Sequence, residues 1–453
     1  MYIPSIVSDA VQAHRRSMIN GPISPLVHTK FILDSSGVAG VLGGEEAIAS
    51  ITLVHVFEGR KLLGWYNSPG SYVVGMRFGR LARSAVPAAS LDGRGGVRTD
   101  LATLFEYDGR KGPRFRAVHS GTVLDETGHL AALLQCECAE LEGNRIEGHR
   151  KSRPLTVTIA DLRGFNLPEE PYSPKWSQPW APFYASLPIA TSLGSCAASG
   201  WYRDWYSFSM ILFGIIVSGI SSYVIGSGCF VFTHPEPAFA SPPGDGILSW
   251  EDGAVLLQGT EGAVSAVTRG RFSLTFESEY ASNRIKWCSV MLVLQTIAQL
   301  IVIPQSSLFG QLMFVASLAA SWAYNLWLGS FNKEEIHRQI LMDILGKPKL
   351  TKFILGTRTS MVVFILLIWN LSDPAEIMDV LLPHRTPVWL AWKGAVIERL
   401  KNRRELEFGP HDWDDPGLSE RDRELLETLF HDAEDAYRGF KLKEHADKIT
   451  PNT

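Results

Sequence analysis

The stretch 301-IVIPQSSLFG-310 lies midway along a segment that carries no Asp, Glu, Lys or Arg, between Lys286 and Lys333. A single helix over this segment would be roughly 65 to 70 Å long, about twice the ~30 Å of a bilayer's hydrocarbon core. Pro304 removes a backbone donor and disfavours helix at the residue before it, and three polar residues follow. The sequence therefore predicts a tight turn at 304 to 307.

The turn divides the segment into predicted transmembrane helices at 287 to 303 and 308 to 328. A re-entrant pair is one alternative, and a buried hairpin in a large soluble core is another. Two further apolar runs, 205 to 232 and 353 to 371, are long enough to span a bilayer. Arg358 lies near the start of the last run, where its side chain can reach the headgroup region. We therefore predict a membrane all-α bundle of about four transmembrane helices.

Both termini lie on the same side of such a bundle. The first 30 residues contain no apolar segment typical of a secretory signal, so we expect the N-terminal region in the cytosol. Basic residues also occur in both loops that would face the opposite side, so charge counting alone is close to a tie. We expect an integral protein of an endomembrane or the plasma membrane with cytosolic termini. The basic residues that favour a cytosolic tail are Arg385, Lys393, Arg399, Lys401, Arg403 and Arg404.

The N-terminal part is predicted to form a soluble α+β domain over residues 30 to 165, after a flexible segment at 1 to 29. The runs at 50 to 57, 71 to 78 and 154 to 162 have the apolar or alternating composition of strands. The sequence therefore predicts strands at these three places.

Three connecting segments have distinct compositions. Residues 166 to 204 begin with a Pro- and Trp-rich stretch that has few charges, which is typical of an extended linker. The loop at 233 to 286 contains short apolar pieces separated by Gly and acidic residues, which indicates a small β-rich region. Residues 329 to 352 place apolar side chains at helical spacing, so we expect an amphipathic helix on the membrane or docked on the bundle.

The tail at 384 to 453 is predicted to be helical and cytosolic. Residues 388 to 408 combine two tryptophans with Arg and Lys, as an interfacial helix would, and a soluble helix docked on the N-terminal domain is the alternative. Ser419 and Asp422 resemble a capping box that opens a helix over 419 to 440. Its apolar stripe either packs on the same protein or binds a protein partner. The stripe consists of Leu425, Leu426, Leu429, Phe430, Ala433, Tyr437 and Phe440.

Composition excludes several classes of protein. The net charge of -4 and the pI near 6.3 argue against a general nucleic-acid binder, which would carry a strongly basic surface. The five cysteines are too few and too scattered for a disulfide framework, so we expect reduced thiols. Cys229 and Cys288 end one predicted span and begin the next, and an oxidising lumen would allow them to pair.

The sequence predicts no enzyme, no cofactor and no metal. The glycine-rich run at 37 to 44 lacks the spacing of a phosphate-binding loop, and DETG at 125 to 128 lacks the lysine of phosphorylated-aspartate motifs. A cysteine and histidine group has enough donor atoms for zinc but not the usual C-x-x-C spacing, so buried thiols are the simpler interpretation. The group consists of Cys136, Cys138, His119, His129 and His149.

Four amide side chains lie inside the predicted spans, namely Gln295, Gln299, Gln311 and Asn325. Amides in lipid usually form hydrogen bonds between helices, which is the simpler interpretation. The alternative is a polar path for a solute. Ion-coupled carriers place ionisable residues in the middle of a span, and only Arg358 comes close to such a position.

The runs EGAVSAVTRGRFSLTF at 261 to 276 and LFGQLMFVASLAASWAYN at 308 to 325 resemble segments of an uncharacterised fungal family of multi-pass membrane proteins. The resemblance covers about 200 to 370 and implies a membrane location without implying an activity. Our leading hypothesis is a non-enzymatic adaptor or scaffold in the lipid bilayer whose cytosolic parts bind partners. The alternative is a small channel or transporter that forms a homo-oligomer, with the four amides lining its path.

Overall fold

The structure, a computed structural model, describes Leu26, residues 43 to 89, 95 to 101, Leu104, and residues 111 to 150, 152 to 165, 177 to 414 and 417 to 449. Most of the predicted flexible N-terminus and of the glycine-rich run lies outside these residues. The chain forms two compact units, each assembled from three segments. The first, which we call the helical unit, comprises residues 1 to 109, 168 to 233 and 271 to 340. The second, the sheet unit, comprises residues 110 to 167, 234 to 270 and 341 to 453.

The described residues form helices and strands that we number in chain order. The helices are α1 (Gly44–Ser50, continued by a π-helix at Ile51–Phe57), α2 (Ser71–Arg83), α3 (His129–Glu140), α4 (Ala181–Trp201), α5 (Trp205–Gly226), α6 (Glu261–Thr268), α7 (Ala281–Val302, followed by a 3-10 turn at Ile303–Gln305), α8 (Leu308–Gly329), α9 (Lys333–Ile344), α10 (Arg358–Trp369), α11 (Ala375–Leu381), α12 (Pro387–Lys401), α13 (Pro410–Trp413) and α14 (Glu420–Ile449). The strands are β1 (Val86–Ala89), β2 (Gly95–Asp100), β3 (Arg114–Ala117), β4 (Val123–Leu124), β5 (Gly143–Arg145), β6 (Leu155–Asp161), β7 (Cys229–Thr233), β8 (Gly246–Trp250), β9 (Gly253–Gln258), β10 (Arg271–Phe276) and β11 (Lys349–Leu355).

Three helices of the described chain are long and apolar enough to cross a membrane: α5, α7 with its 3-10 turn, and α8. The predicted turn at 304 to 307 is confirmed, because α7 ends in the 3-10 turn and Ser307 caps the start of α8 by accepting a hydrogen bond from the Gly310 amide. The first predicted span is shorter than expected. Its helix ends at Gly226, and residues from Cys229 onward form β7.

The predicted fourth span at 353 to 371 is wrong. Its first residues belong to β11, and the helix that follows, α10, has 12 residues and is therefore only about 18 Å long. Residues Val362 to Leu366 are all buried in the core of the sheet unit. A helix that is covered by protein on every side needs the same uniformly apolar composition as a membrane span, which explains the error.

Two of the predicted strands are also wrong, because residues 50 to 57 and 71 to 78 are helical. In α2 the buried side chains Val74, Phe78 and Leu81 recur at helical spacing. The predicted linker at 166 to 204 contains α4, a helix of 21 residues without an ionised side chain. The predicted domain at 30 to 165 is not one body, since its residues are divided between the two units.

The helical unit is a bundle in which α5 contacts both halves of the α7–α8 hairpin. The helix α2 packs on α7, while α1 and α4 pack on α8. A small antiparallel sheet in the order β1-β2-β10-β7 completes the unit. The bundle therefore surrounds the segment between α1 and α2 with long apolar helices.

The sheet unit is built on one mixed sheet in the order β4-β3-β8-β9-β6-β11-β5. The helices α10, α12 and α14 cover one face, where they share a core with β6, β9 and β11. On the other face the Lys352 Nζ donates to the carbonyl oxygens of Ala139 and Leu141 at the end of α3, at 2.7 and 3.0 Å. The loop predicted as a separate β-rich region at 233 to 286 instead contributes β8 and β9 to this sheet and β10 to the helical unit.

Candidate functional site in the helical unit

Residues 58 to 70 bring a polar loop into the middle of the apolar helices. Tyr66 is 3% exposed and Asn67 is fully buried. Gly219 makes room for the loop, because a Cβ at that position would lie 2.4 Å from the ring of Trp65. Gly70, with a φ of 74°, ends the loop in the left-handed conformation that glycine adopts without strain.

The side chain and backbone of Asn67 contact the centres of several helices. Its backbone amide donates to the Ser192 hydroxyl at 3.0 Å, and its side-chain Nδ2 donates to the Ser317 hydroxyl at 2.9 Å. A Cβ on Gly214 would lie 2.0 Å from the Asn67 Oδ1 and 3.3 Å from the Gln295 Nε2. Ser192, Ser317 and Gly214 lie away from the ends of α4, α8 and α5, so Asn67 is at the centre of the bundle.

Tyr66 connects the same loop to a further predicted site residue. Its hydroxyl donates to the Asn325 Oδ1 at 3.1 Å and lies 3.3 Å from the Ser50 hydroxyl. The Asn325 Nδ2 donates to the Ser68 hydroxyl at 3.4 Å. Asn325 therefore links α8 to the loop by hydrogen bonds. We call the whole cluster the polar centre, defined as Tyr66, Asn67, Ser192, Gln295, Ser317 and Asn325.

Gln295 and Gln299 are both 1% exposed. In each side chain, neither the amide nitrogen nor the amide oxygen has a hydrogen-bond partner among the described residues. Gln295 forms one wall of a cavity of about 20 Å³, which is large enough for one water molecule. A buried amide without a partner costs about 1 to 3 kcal/mol, so a water or a polar solute is needed there. The hydroxyl groups that line the cavity belong to Tyr66, Ser68, Ser71, Ser218, Ser221 and Ser222.

The fourth predicted residue, Gln311, lies near the turn between α7 and α8 and is 8% exposed. Its Nε2 donates to the Ser306 carbonyl at 3.3 Å, and its Oε1 has no partner among the described residues. Gln311 and Asn325 lie towards opposite ends of α8, with the buried Ser317 and Ser321 between them. The structure therefore places the predicted residues along a buried polar stripe rather than in one cluster.

Sequence reasoning missed Tyr66 and Asn67, which carry most of the hydrogen bonds of the polar centre. The residues on either side of them have the composition of strands, which would put this loop at the surface of a soluble domain. A signal is present in the sequence, since N-S-P-G at 67 to 70 is a strong turn motif between two apolar segments. The contacts of this turn depend on the tertiary fold.

The described cysteine and histidine residues do not come together as a metal site or a disulfide. Within the part of the chain that the structure describes, no group of three or more His, Cys, Asp or Glu side chains could hold a metal ion. Burial in α3 raises the pKa of the Cys138 thiol to about 12. All five cysteines are free thiols, so Cys229 and Cys288 do not pair.

The apolar stripe of the tail helix is used inside the protein. Leu426, Leu429, Phe430 and Ala433 are buried in the core that α14 shares with α10 and α12. The Trp392 indole on α12 donates to the Leu429 carbonyl at 2.9 Å. A protein partner would therefore have to contact a different face of α14.

No protein-family model, no curated protein and no solved structure matches this chain. The functional argument therefore rests on the geometry of the polar centre.

Proposed function

We propose that this chain is an integral membrane protein whose helical unit binds and passes a small uncharged polar solute, of which water is the simplest. The three long apolar helices support the membrane location. The polar centre supports the binding of a polar solute, because it lies midway along helices that would otherwise be held together by apolar packing alone. The proposal extends the polar path suggested by the amide residues and adds the loop at 58 to 70 to it.

The observation that carries the proposal is the pair of unpartnered amides, Gln295 and Gln299. Inside a bilayer no bulk water is available to such groups, and each unsatisfied group costs several kcal/mol. If Gln295 and Gln299 only filled space, apolar side chains could take their place without a loss of stability. A bound water or solute that bridges them removes the cost and gives the residues a role.

The chemistry of the cavity favours an uncharged solute. Its lining, which lies entirely in the described chain, contains hydroxyl and amide groups but no Asp, Glu, Lys or Arg. Ion and proton pathways through membranes usually contain ionisable residues that compensate the charge of the solute. Hydroxyls and amides both donate and accept hydrogen bonds, as water and small alcohols or amides require.

The sheet unit constrains how often the chain crosses the membrane. β6 pairs with β9 and with β11, so these three strands lie on the same side. An even number of crossings must therefore separate β6 from β9, and again β9 from β11. We infer that α4 crosses together with α5, and that α7 crosses together with α8. In this arrangement α4 takes the place of the span expected at 353 to 371.

The same arrangement favours a cytosolic sheet unit. The turn between α4 and α5 contains one basic residue, Arg203, and the turn between α7 and α8 contains none. The segments that follow α5 and α8 in the chain contain many more. Cytosolic loops carry an excess of Lys and Arg, which supports this orientation. These basic residues include Arg269, Arg271, Lys333 and Arg338, and the first turns of α7 add Arg284 and Lys286.

The test is water flux out of proteoliposomes after a hyperosmotic step, measured by light scattering. We expect the wild-type chain to accelerate shrinkage over protein-free liposomes, and Gln295→Leu and Gln299→Leu to abolish most of the acceleration. Gln339→Leu is the matched control, because Gln339 is exposed on α9. Equal flux in wild type and in the two glutamine variants, with equal amounts of reconstituted protein, would refute the proposed path.

A further inference from the structure

A second cavity, of about 370 Å³, lies in the sheet unit between the sheet and the helices α10 and α11. Its volume falls in the range typical of sites for small molecules. Three arginines line it, namely Arg114, Arg116 and Arg358, and Glu251 is the one acidic residue in the lining. The rest of the wall is mainly apolar and includes Trp250, Met361 and Leu381.

The register of the sheet explains why arginines face this cavity. On β3, Phe115 and Ala117 are buried on one face of the sheet, so Arg114 and Arg116 point to the other. That other face is the one covered by α10, because Arg116 pairs with Ile247 on β8, a residue of the core shared with α10. Arg116 therefore occupies an inward position opposite an apolar side chain, whereas Arg114 lies opposite Ser249 and is largely exposed at the edge of the cavity.

Among the described residues, the charges around the cavity leave one arginine without a counter-ion. The Arg114 guanidinium lies 3.2 Å from the Asp125 carboxylate, and that of Arg116 lies 3.9 Å from Glu376. The Glu251 carboxylate lies 3.4 Å from the guanidinium of Arg153, and Arg153 is not part of the cavity lining. Arg358 forms no ion pair with any residue in the described ranges. The long contact of Arg116 and the free Arg358 leave the cavity with unbalanced positive charge.

We propose that this cavity binds a small organic molecule through a phosphate group. The planar guanidinium groups of Arg116 and Arg358 match the geometry of a phosphate, to which arginine donates two parallel hydrogen bonds. The apolar wall accommodates the uncharged part of the ligand. Arg358 also stands at the first turn of α10, where the helix dipole favours an anion. This site is independent of the solute path in the helical unit.

The phosphate could come from a soluble metabolite or from the headgroup of a lipid, and the experiment separates these sources. The full chain, purified in a neutral detergent, is titrated by calorimetry with glycerol phosphate and with glycerol. In a second arm the chain is mixed with phosphatidylcholine vesicles, with or without phosphatidic acid, and vesicle-bound protein is recovered by flotation. Each arm is repeated with Arg358→Gln, Arg116→Gln and the control Arg163→Gln. Arg163 is exposed and bonded to Asp161, away from the cavity lining.

We expect glycerol phosphate to bind while glycerol does not, and the affinity to fall about tenfold or more in Arg358→Gln and Arg116→Gln. The Arg163→Gln chain should bind as wild type does. Binding to phosphatidic acid vesicles alone, with the same dependence on both arginines, would assign the site to a lipid headgroup. Absence of binding in both arms, or binding that neither cavity variant weakens, would overturn the proposal. Unchanged thermal unfolding of the variants establishes that they are folded.

Discussion

Asp204 and Ser307 hold together the two turns that connect helices at the same end of the helical unit. The Asp204 Oδ2 accepts hydrogen bonds from the Ser307 amide at 2.8 Å and from the Ser307 hydroxyl at 2.5 Å. Its Oδ1 accepts from the Ser207 amide at 3.3 Å, so the same carboxylate caps α5. Asp204 lies between α4 and α5, and Ser307 lies between α7 and α8. One carboxylate, 7% exposed, therefore joins the two hairpins.

Replacing this carboxylate should destabilise the bundle. Asp204→Ala removes a helix cap and two hydrogen bonds to a charged acceptor, with an expected loss of about 2 to 4 kcal/mol. The measurement is the midpoint of thermal unfolding of the detergent-solubilised chain. Asp373→Ala is the control, because Asp373 is an exposed carboxylate that pairs with Lys401 at 3.0 Å, and it should change the midpoint little. Equal shifts in both variants would contradict the role of Asp204.

The two hairpins predict which residues share a side of the membrane. Cysteines introduced at Trp201 and Gln305 lie at the joined turns, and cysteines at Glu236 and Glu420 lie in the chain after α5 and after α8. In sealed vesicles of known orientation, a membrane-impermeant maleimide should label the first pair from one side and the second pair from the other. The background carries Cys229→Ser, because Cys229 is exposed. Labelling of Trp201→Cys and Glu236→Cys from the same side would mean that α5 does not cross.

Gly214 provides a steric test of the polar centre. In Gly214→Ala the new Cβ would lie 2.0 Å from the Asn67 Oδ1, too close for any real contact, so the Asn67 side chain has to move from its place beside Ser317. We expect a lower unfolding midpoint and loss of the water flux. Gly194→Ala is the matched control, because the same substitution on α4 meets no atom within 4 Å and replaces a poor helix former with a good one. If the two variants unfold at the same temperature, Asn67 is not held at the centre of the bundle.

The parts of this fold that could be predicted from sequence have local causes. Pro304 and the polar residues after it end a helix whatever surrounds them, and the hairpin is found where the sequence predicts it. The apolar runs of α5 and α8 likewise reveal long apolar helices.

The remaining features depend on distant contacts. Whether an apolar helix faces lipid or protein is decided by its neighbours, so α10 could not be told from a span by composition. The amides on α7 and α8 could be singled out because polar residues are rare in such helices. Their partner Asn67 could not, because its bonds to Ser192 and Ser317 join residues far apart in the chain.

Thiol reactivity should distinguish two of the cysteines. Burial raises the pKa of Cys138 to about 12, so almost none of this thiol is ionised at pH 8, whereas Cys229 is exposed. Brief treatment of the folded chain with iodoacetamide, followed by peptide mass spectrometry, should find Cys229 alkylated and Cys138 unmodified. In denaturant both should react. Alkylation of Cys138 at the rate of Cys229 in the folded chain would contradict its position in the core of the sheet unit.

The burial of Asp432 predicts that the contribution of this carboxyl to stability decreases as the pH rises. Asp432 is 2% exposed, and burial raises the pKa of its carboxyl, as does the nearby Asp435, although Arg150 donates to it at 3.1 Å. Because the folded state binds this proton more tightly than the unfolded state, the contribution of Asp432 to stability is greatest at low pH. It is lost as the pH rises from the ordinary range of an aspartate through the raised pKa.

Comparison with Asp432→Asn isolates this effect, because all other groups titrate in both chains. The unfolding midpoint of wild type minus that of the variant should fall as the pH rises through the acid range. Asp161→Asn provides a control of opposite sign, since the hydrogen bond from Arg163 lowers the pKa of Asp161. There the difference should rise with pH. A difference that rises with pH for Asp432 as well would mean that the Arg150 charge outweighs burial and that the pKa of Asp432 is lowered.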